Sequence, residues 1–425
     1  MNSLKSELKG IWKSNLGVMI LSSGIWRIGS GMTNPFWPLY VIHLGGSTFH
    51  VGLISAVSSL LAIIPTLLGG YLADTLGRKK VVYSMSMLLA LDTIIYIIAP
   101  SWHWLLVVRS LDAVFSGLRG PAFSALIADS TSAEDRAFNY GIWHSVPQIF
   151  GLASPTIIGL LMDRYGILSA QRLAYMVLML SATIGAFLRW RYLDEPLSSD
   201  QREDINPIKA LKNTLDDFRE TIRDVKGQIW ILFLLGGLFQ LGASIGNIYM
   251  VNYATEDVIG LSASQWGFIT TVSQLVAMIV AVPFAMLSDR YGRRRLALLC
   301  LGFTPIAIMG FIYAGGFNLV LLSYISLVLL GSLGGVTGRP LFVDHSPREH
   351  RGRISSMRRV LGATQRFNFR MMGRGSIIGA TGNLLGGLLY RNLSYQSPFQ
   401  IMVGLIGLVA LLAGVYIKEP ENPEK

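Results

Sequence analysis

Twelve apolar stretches of roughly twenty residues each dominate the chain, and they leave few folds open to it. A helix that crosses a hydrocarbon layer of about 30 Å needs about 20 mostly apolar residues. The stretches run near 16–41, 50–73, 81–100, 103–128, 139–162, 172–192, 228–252, 263–287, 296–315, 318–342, 372–390 and 397–417. Backbone groups in lipid must bond within their own segment, so spans of this length are helices. The sequence therefore predicts an all-α membrane protein with twelve transmembrane helices. Composition agrees: 52% of the 425 residues are hydrophobic and 14% are charged, against about 25% charged in soluble domains. The first stretch is too long for a signal-peptide core and is read as a retained span.

The net charge of +11 would suggest nucleic acid on a soluble chain. Here the cations sit between apolar runs, and membrane topology explains them without a nucleic-acid partner. With the N-terminus inside, the cytoplasmic segments hold Lys5, Lys9, Lys13, Arg78, Lys79, Lys80, Arg136, Arg290, Arg293, Arg294, Arg295 and a cluster from Arg348 to Arg374. The outer loops hold only Arg164, Arg172 and Arg391. That bias puts both termini in the cytoplasm of a cell-membrane protein. Cys300 is the only cysteine and the six histidines show no ligand spacing, so neither an internal disulfide nor a metal site is expected. No nucleotide loop or nucleophile elbow is present, which argues against an enzyme and against any cofactor.

The chain repeats itself. Asp74 and Asp289 are 215 residues apart, and the same offset carries Gly52 to Gly267, Ser58 to Ser273, Gly77 to Gly292, Asp129 to Asp344, Glu134 to Glu349 and Arg136 to Arg351. Two copies of a six-helix unit follow, residues 1–193 and 228–425, joined by a polar cytoplasmic linker, 194–227. Parallel repeats of this kind suggest a transporter with its site between the halves near the midplane.

Residues 70–80 (GYLADTLGRKK) and 285–295 (AMLSDRYGRRR) each join the second and third helix of a half. They resemble the loop signature of the major facilitator superfamily, Gly-x-Leu-x-Asp-Arg-x-Gly-Arg-Arg-Arg, in Gly70, Leu72, Asp74, Gly77, Arg78, Asp289, Arg290, Gly292 and Arg293. Thr75 and Ala285 depart from it. The glycines permit a tight turn with φ > 0. The resemblance implies two six-helix bundles working by alternating access, with Asp74 and Asp289 latching the outward-facing state. Arg119, Arg339, Asp129, Asp344, Glu134, Arg136, Glu349 and Arg351 complete an expected cytoplasmic charge network, gating or static.

Ionisable groups inside a span are costly and mark function or pairing. Arg27, Asp92, Arg109 and Asp112 lie deep in the first half. Equal depth from the turn at 100–104 lets Asp92 face Arg109, as a static bridge or a switch. Asp112 is the expected proton carrier, with Arg27 as its partner. Arg109 matches in part the fourth-helix arginine of proton antiporters in the superfamily. Ser154, Pro155 and Gly159 match in part their helix-five signature. Close helix packing explains those three as well. Expected cavity contacts are Trp26, Asn34, Trp37, Tyr40, Trp143, His144, Gln148, Gln240, Asn247, Tyr249 and Gln274, through cation–π and amide chemistry.

The reading that follows is a monomeric secondary transporter, driven by a proton gradient, that exports small amphipathic compounds. Two others stay open: uptake or exchange of a sugar, metabolite or organic anion with Arg27 and Arg109 as anion contacts, and a non-transporting membrane sensor. Arg27 left unneutralised by Asp112 would favour the anion. Residues 354–374, rich in arginine, are expected to form a cytoplasmic helical extension.

Overall fold

A computed structural model describes residues 14–131, 136–197, 212, 216, 227–344 and 376–417. All regular structure among them is helical. The twelve spans are span 1 (Asn15–Thr33 and Trp37–His43), span 2 (Thr48–Leu61 and Ile63–Leu76), span 3 (Arg78–Leu91 and Thr93–Ile98) and span 4 (Trp102–Asp129). Span 5 is Arg136–Phe150 with Ser154–Tyr165, and span 6 is Ile167–Tyr192. In the second half, span 7 begins as Gln228–Gly246 and ends in tightened and widened turns as far as Asp257. Spans 8 to 12 are Ala263–Tyr291, Arg293–Ile312, Phe317–Asp344, Ile377–Asn392 and Ser397–Tyr416. Nine spanning stretches among the described residues are long and apolar enough to cross a membrane on composition alone. Span 4 is not one of them, because Arg109, Asp112 and Arg119 interrupt it.

The helix breaks have local causes. Pro35 in the turn and Pro38 one residue into the next helix divide span 1. Pro155 opens the second part of span 5. Gly77 and Gly292 both take φ of 93°, which lets spans 2 and 3, and 8 and 9, turn back without a Cβ clash.

Each half packs by one plan. In the first, span 1 lies on spans 5 and 6, span 3 on spans 4 and 6, and span 2 on span 4. In the second, span 7 lies on spans 11 and 12, span 9 on spans 10 and 12, and span 8 on span 10. One tie recurs: Tyr40 Oη donates to the Tyr96 carbonyl at 2.6 Å, and Tyr253 Oη to the Ile312 carbonyl at 2.8 Å. The halves join where span 2 meets span 11 and span 5 meets span 8. Both seams lie toward the face opposite the arginine-rich loops. The 354–374 extension, Glu134, Glu349 and Arg351 lie outside the described residues, as do the side chains of Arg136, Asp289, Arg339 and Asp344.

Candidate functional site

Asp92 is where the first half becomes unusual. It breaks span 3 between two apolar helices and is 6% exposed. As a carboxylate it meets no hydrogen-bond donor among the described residues; its one carboxyl partner is Asp112, which can bond to it only when one of the two holds a proton. An unbonded buried polar group is costly, so its persistence points to use. Asp112 of span 4 lies beside it, and Arg119, a weaker influence, acts from further along that helix.

Asp112 is held from two sides. Tyr96 Oη donates to its Oδ2 at 2.6 Å, and Arg109 Nη1 approaches the same oxygen at 3.7 Å from one turn earlier on span 4. Tyr96 stacks on Tyr175 of span 6, with centroids 4.4 Å apart and planes 6° from parallel. Tyr40 closes the stack against Tyr175 at 5.4 Å. The Arg109 guanidinium stands 5.1 Å over the Trp37 ring. Four spans thus build one polar cluster of two carboxylates, one adjacent guanidinium and three phenols.

The pairing differs from the sequence expectation. Asp92 was expected to face Arg109, and Asp112 to face Arg27. Instead Arg109 turns to Asp112, its helical neighbour at i+3, whose side chain it reaches without crossing between helices. Arg27 is half-buried against its neighbour Trp26, at 5.8 Å from that ring, and meets no carboxylate among the described residues. Tyr96 and Tyr175 were not anticipated. Tyr96 follows Asp92 by four residues, a same-face spacing that signals it in retrospect.

A second buried cation was also missed. Arg189 is 4% exposed near the basic end of span 6. Its Nε donates to Ser22 at 3.0 Å, Nη1 to Ser86 at 2.7 Å and Nη2 to Ser23 at 3.2 Å. Arg119 Nη1 donates to the same Ser86 hydroxyl at 3.3 Å. "RWRY" reads as the charged end of a span, which hides the depth of Arg189.

At the basic face, Arg78 pairs with Asp129. Glu195, beyond span 6, accepts from the backbone N–H of Arg78 and of Lys79, both at 3.0 Å. A carboxylate on the first turn of span 3 complements the helix dipole. Asp74 is exposed and unpaired among the described residues. Gly70 has open space around it, with only Pro121 at the limit of contact. Arg290 lies over the neighbouring Tyr291 ring at 5.8 Å, and Arg294 donates to the Ile417 and Gly414 carbonyls at the end of span 12.

The expected cavity residues divide. Tyr40, Trp37, Tyr249 and Gln240 are buried and engaged in packing, so they line no open space here: Tyr249 Oη donates to the Asn383 carbonyl at 2.6 Å, and Gln240 donates to Ser244. Asn34, Trp26, Trp143, Asn247 and Gln274 are half-buried, while His144 and Gln148 are exposed on span 5. Ser154, Pro155 and Gly159 sit against helices: Gly31 of span 1 backs on Ser154, and Gly159 backs on Ala263 and Ser264 of span 8. An apolar groove of about 510 Å³ between spans 7, 11 and 12, lined by Leu241, Leu389 and Leu405 among others, lies away from the polar cluster.

A family model described as Major Facilitator Superfamily matches residues 19–364 and 232–425. The chain is 25% identical over 404 residues to "Multidrug resistance protein 2" of Bacillus subtilis, covering 93% of each. It is 24% identical over 410 residues to "Multidrug resistance protein MdtG" of Escherichia coli, covering 93% of this chain and 92% of that one. Among solved structures, the xylose transporter XylE of E. coli superposes with a TM-score of 0.69 at 16% identity, covering 96% of both chains. The nucleoside transporter NupG superposes with a TM-score of 0.69 at 16% identity, covering 95% of this chain and 100% of that one.

Proposed function

The chain belongs to the Major Facilitator Superfamily, and from that premise we propose that it exports small amphipathic compounds in exchange for protons, by alternating access. The observation that carries the proton is the cluster at Asp92 and Asp112. It sets two carboxylates side by side, with Arg109 on Asp112 and Arg119 acting on Asp92 from further off, and like charges that close favour a proton on one of them. Burial makes an unbalanced charge expensive, which ties protonation to conformation. Asp112 is the carrier; Tyr96 and Arg109 set its charge environment, and Asp92 is its second seat. The names of the two relatives, both multidrug resistance proteins, support the substrate class.

The arginine-rich face is the cytoplasmic one in this reading, with both termini there, and the protein works as a monomer in the cell membrane. The halves meet at the opposite face, while Asp74 stands unpaired among the described residues; both features suit an inward-facing state with the Asp74 latch released.

A second reading has one observation in its favour. Arg27 is half-buried in mid-span without a carboxylate partner among the described residues, which suits an organic anion or another metabolite. Proteoliposomes holding an internal pH dye under an inward-acid gradient separate the two. Proton efflux on adding lipophilic cations supports antiport of amphipathic compounds. Proton movement together with an added acid or sugar, and dependent on Arg27, overturns it in favour of the second reading.

A further inference from the structure

The two seams between the halves are copies of each other. Gly159 backs on Ala263 and Ser264, and Gly387 backs on Thr48 and Phe49. Gly267 backs on Pro155, and Gly52 backs on Asn383. Spans 2 and 8 correspond through 263 − 48 = 267 − 52 = 215, and spans 5 and 11 through 387 − 159 = 383 − 155 = 228. The helix starts are copied too: Ser47 N–H donates to His50 Nδ1 at 2.9 Å, and Ser262 N–H to Gln265 Oε1 at 2.9 Å.

The copies differ in charge at two adjacent positions: Arg164, which lies 5.4 Å over its own neighbour Tyr165, corresponds to the neutral Asn392, and the residue before it changes sign. Asp163 of span 5 corresponds to 163 + 228 = 391, which is Arg391 of span 11. Asp163 Oδ1 accepts from the Ala263 N–H at 2.9 Å, and Oδ2 from the Ser264 N–H at 3.1 Å. One carboxylate from the first half thus caps the first turn of a 29-residue helix of the second. That is the favourable sign for a helix N-terminus. At the other seam the copy of Asp163 is the exposed Arg391, whose guanidinium has no acceptor to offer the first N–H groups of span 2. A cation near a helix start is also the unfavourable sign for the helix dipole. His50 is further occupied by stacking on Trp102, with centroids 3.9 Å apart.

We propose that the face opposite the basic loops is closed unequally: Asp163 latches the span 5–span 8 seam, and opening begins at the span 2–span 11 seam, where Arg391 takes the place of the acid. Asp163 is a positioning residue for the conformational cycle and touches no substrate. The inference uses the transporter reading only to give the opening a purpose; the seams and their charges stand without it.

The test needs no substrate. Thr271 lies in the first seam, where Thr156 Oγ1 donates to its Oγ1 at 2.8 Å, and its copy in the second seam is 271 − 215 = 56, Ala56. Single variants Thr271→Cys and Ala56→Cys, in purified protein, are reacted with a water-soluble maleimide. Native Cys300 is buried and serves as the unreactive control. The Ala56→Cys thiol is expected to react faster. Asp163→Asn is expected to raise Thr271→Cys labelling about two- to fivefold, the range of a helix-dipole contact, with a smaller effect on Ala56→Cys. Asp163→Glu is expected to keep the parent rate, and Arg391→Asp to slow Ala56→Cys. Equal rates at the two seams, or an Asp163→Asn effect equal at both or at neither, would overturn the proposal. Failure of proton transport in proteoliposomes would strike the transport reading and leave these rates untouched.

Discussion

The Tyr96 hydroxyl donates to Asp112 at 2.6 Å while its own backbone carbonyl accepts from Tyr40. One residue therefore links the outer end of span 1 to the carboxylate of span 4. Any shift of span 1 along span 3 is passed to the group proposed to carry the proton.

Asp112→Asn should fold, because the amide oxygen can still accept from Tyr96, and should lose proton-driven flux. Internal-dye proteoliposomes give the flux, and a thermal melt in the same detergent gives the fold. Full flux from this variant removes Asp112 as carrier. Tyr96→Phe should retain flux at a reduced rate, since the carboxylate stays and only its donor is lost.

Asp92→Leu should separate stability from function. It removes a buried carboxylate whose oxygens find no donor other than a protonated Asp112, so above the pH at which the pair shares a proton the fold should gain about 1–3 kcal/mol, the penalty of an unsatisfied buried group. Coupled transport should fall in the same variant, as expected where a strained group serves activity. A lower melting temperature would show that Asp92 has a structural partner.

Glu195→Gln should weaken the start of span 3 by about 0.5–2 kcal/mol, the range for a helix cap. The charge that suits two backbone donors is gone, although one acceptor remains. The loss should shrink in high salt, where the parent's dipole contact is itself screened. Melting curves at low and high ionic strength check both points.

Gly267→Leu should hold the span 5–span 8 seam apart. Its Cβ would meet the Pro155 carbonyl, and backbone cannot rotate out of the way as a side chain does. Overpacking of this kind costs about 1–3 kcal/mol. Disulfide formation between Thr156→Cys and Thr271→Cys should drop relative to the same pair with Gly267 intact.

The fold was legible because its causes are long and repeated. Spans of twenty apolar residues, a 215-residue offset and two glycine turns each constrain helices over tens of residues. The site was legible as a set of residues and not as a set of pairs. Depth counting brought Asp92 level with Arg109 and Arg27 level with Asp112, but it carries no rotation about the helix axis. Arg109 could reach its own i+3 neighbour, and rotation decided for Asp112. Arg189 escaped because three serines hold it, and serines on a span give no charge signal. Glu195 escaped because its partners are main-chain N–H groups, which every sequence has. Asp163 escaped for the same reason.

The glycine seams carry a consequence for leakage. Where Gly267 and Gly159 set main chain against main chain, dispersion between touching surfaces adds to the Asp163 cap, and that part fades within about 1 Å of separation. Lipid offers no hydrophobic pull to hold halves that are only partly apart. A seam built this way is shut or open, with little to favour a gap between. Ions therefore find no half-closed path through either seam, even where one seam opens before the other.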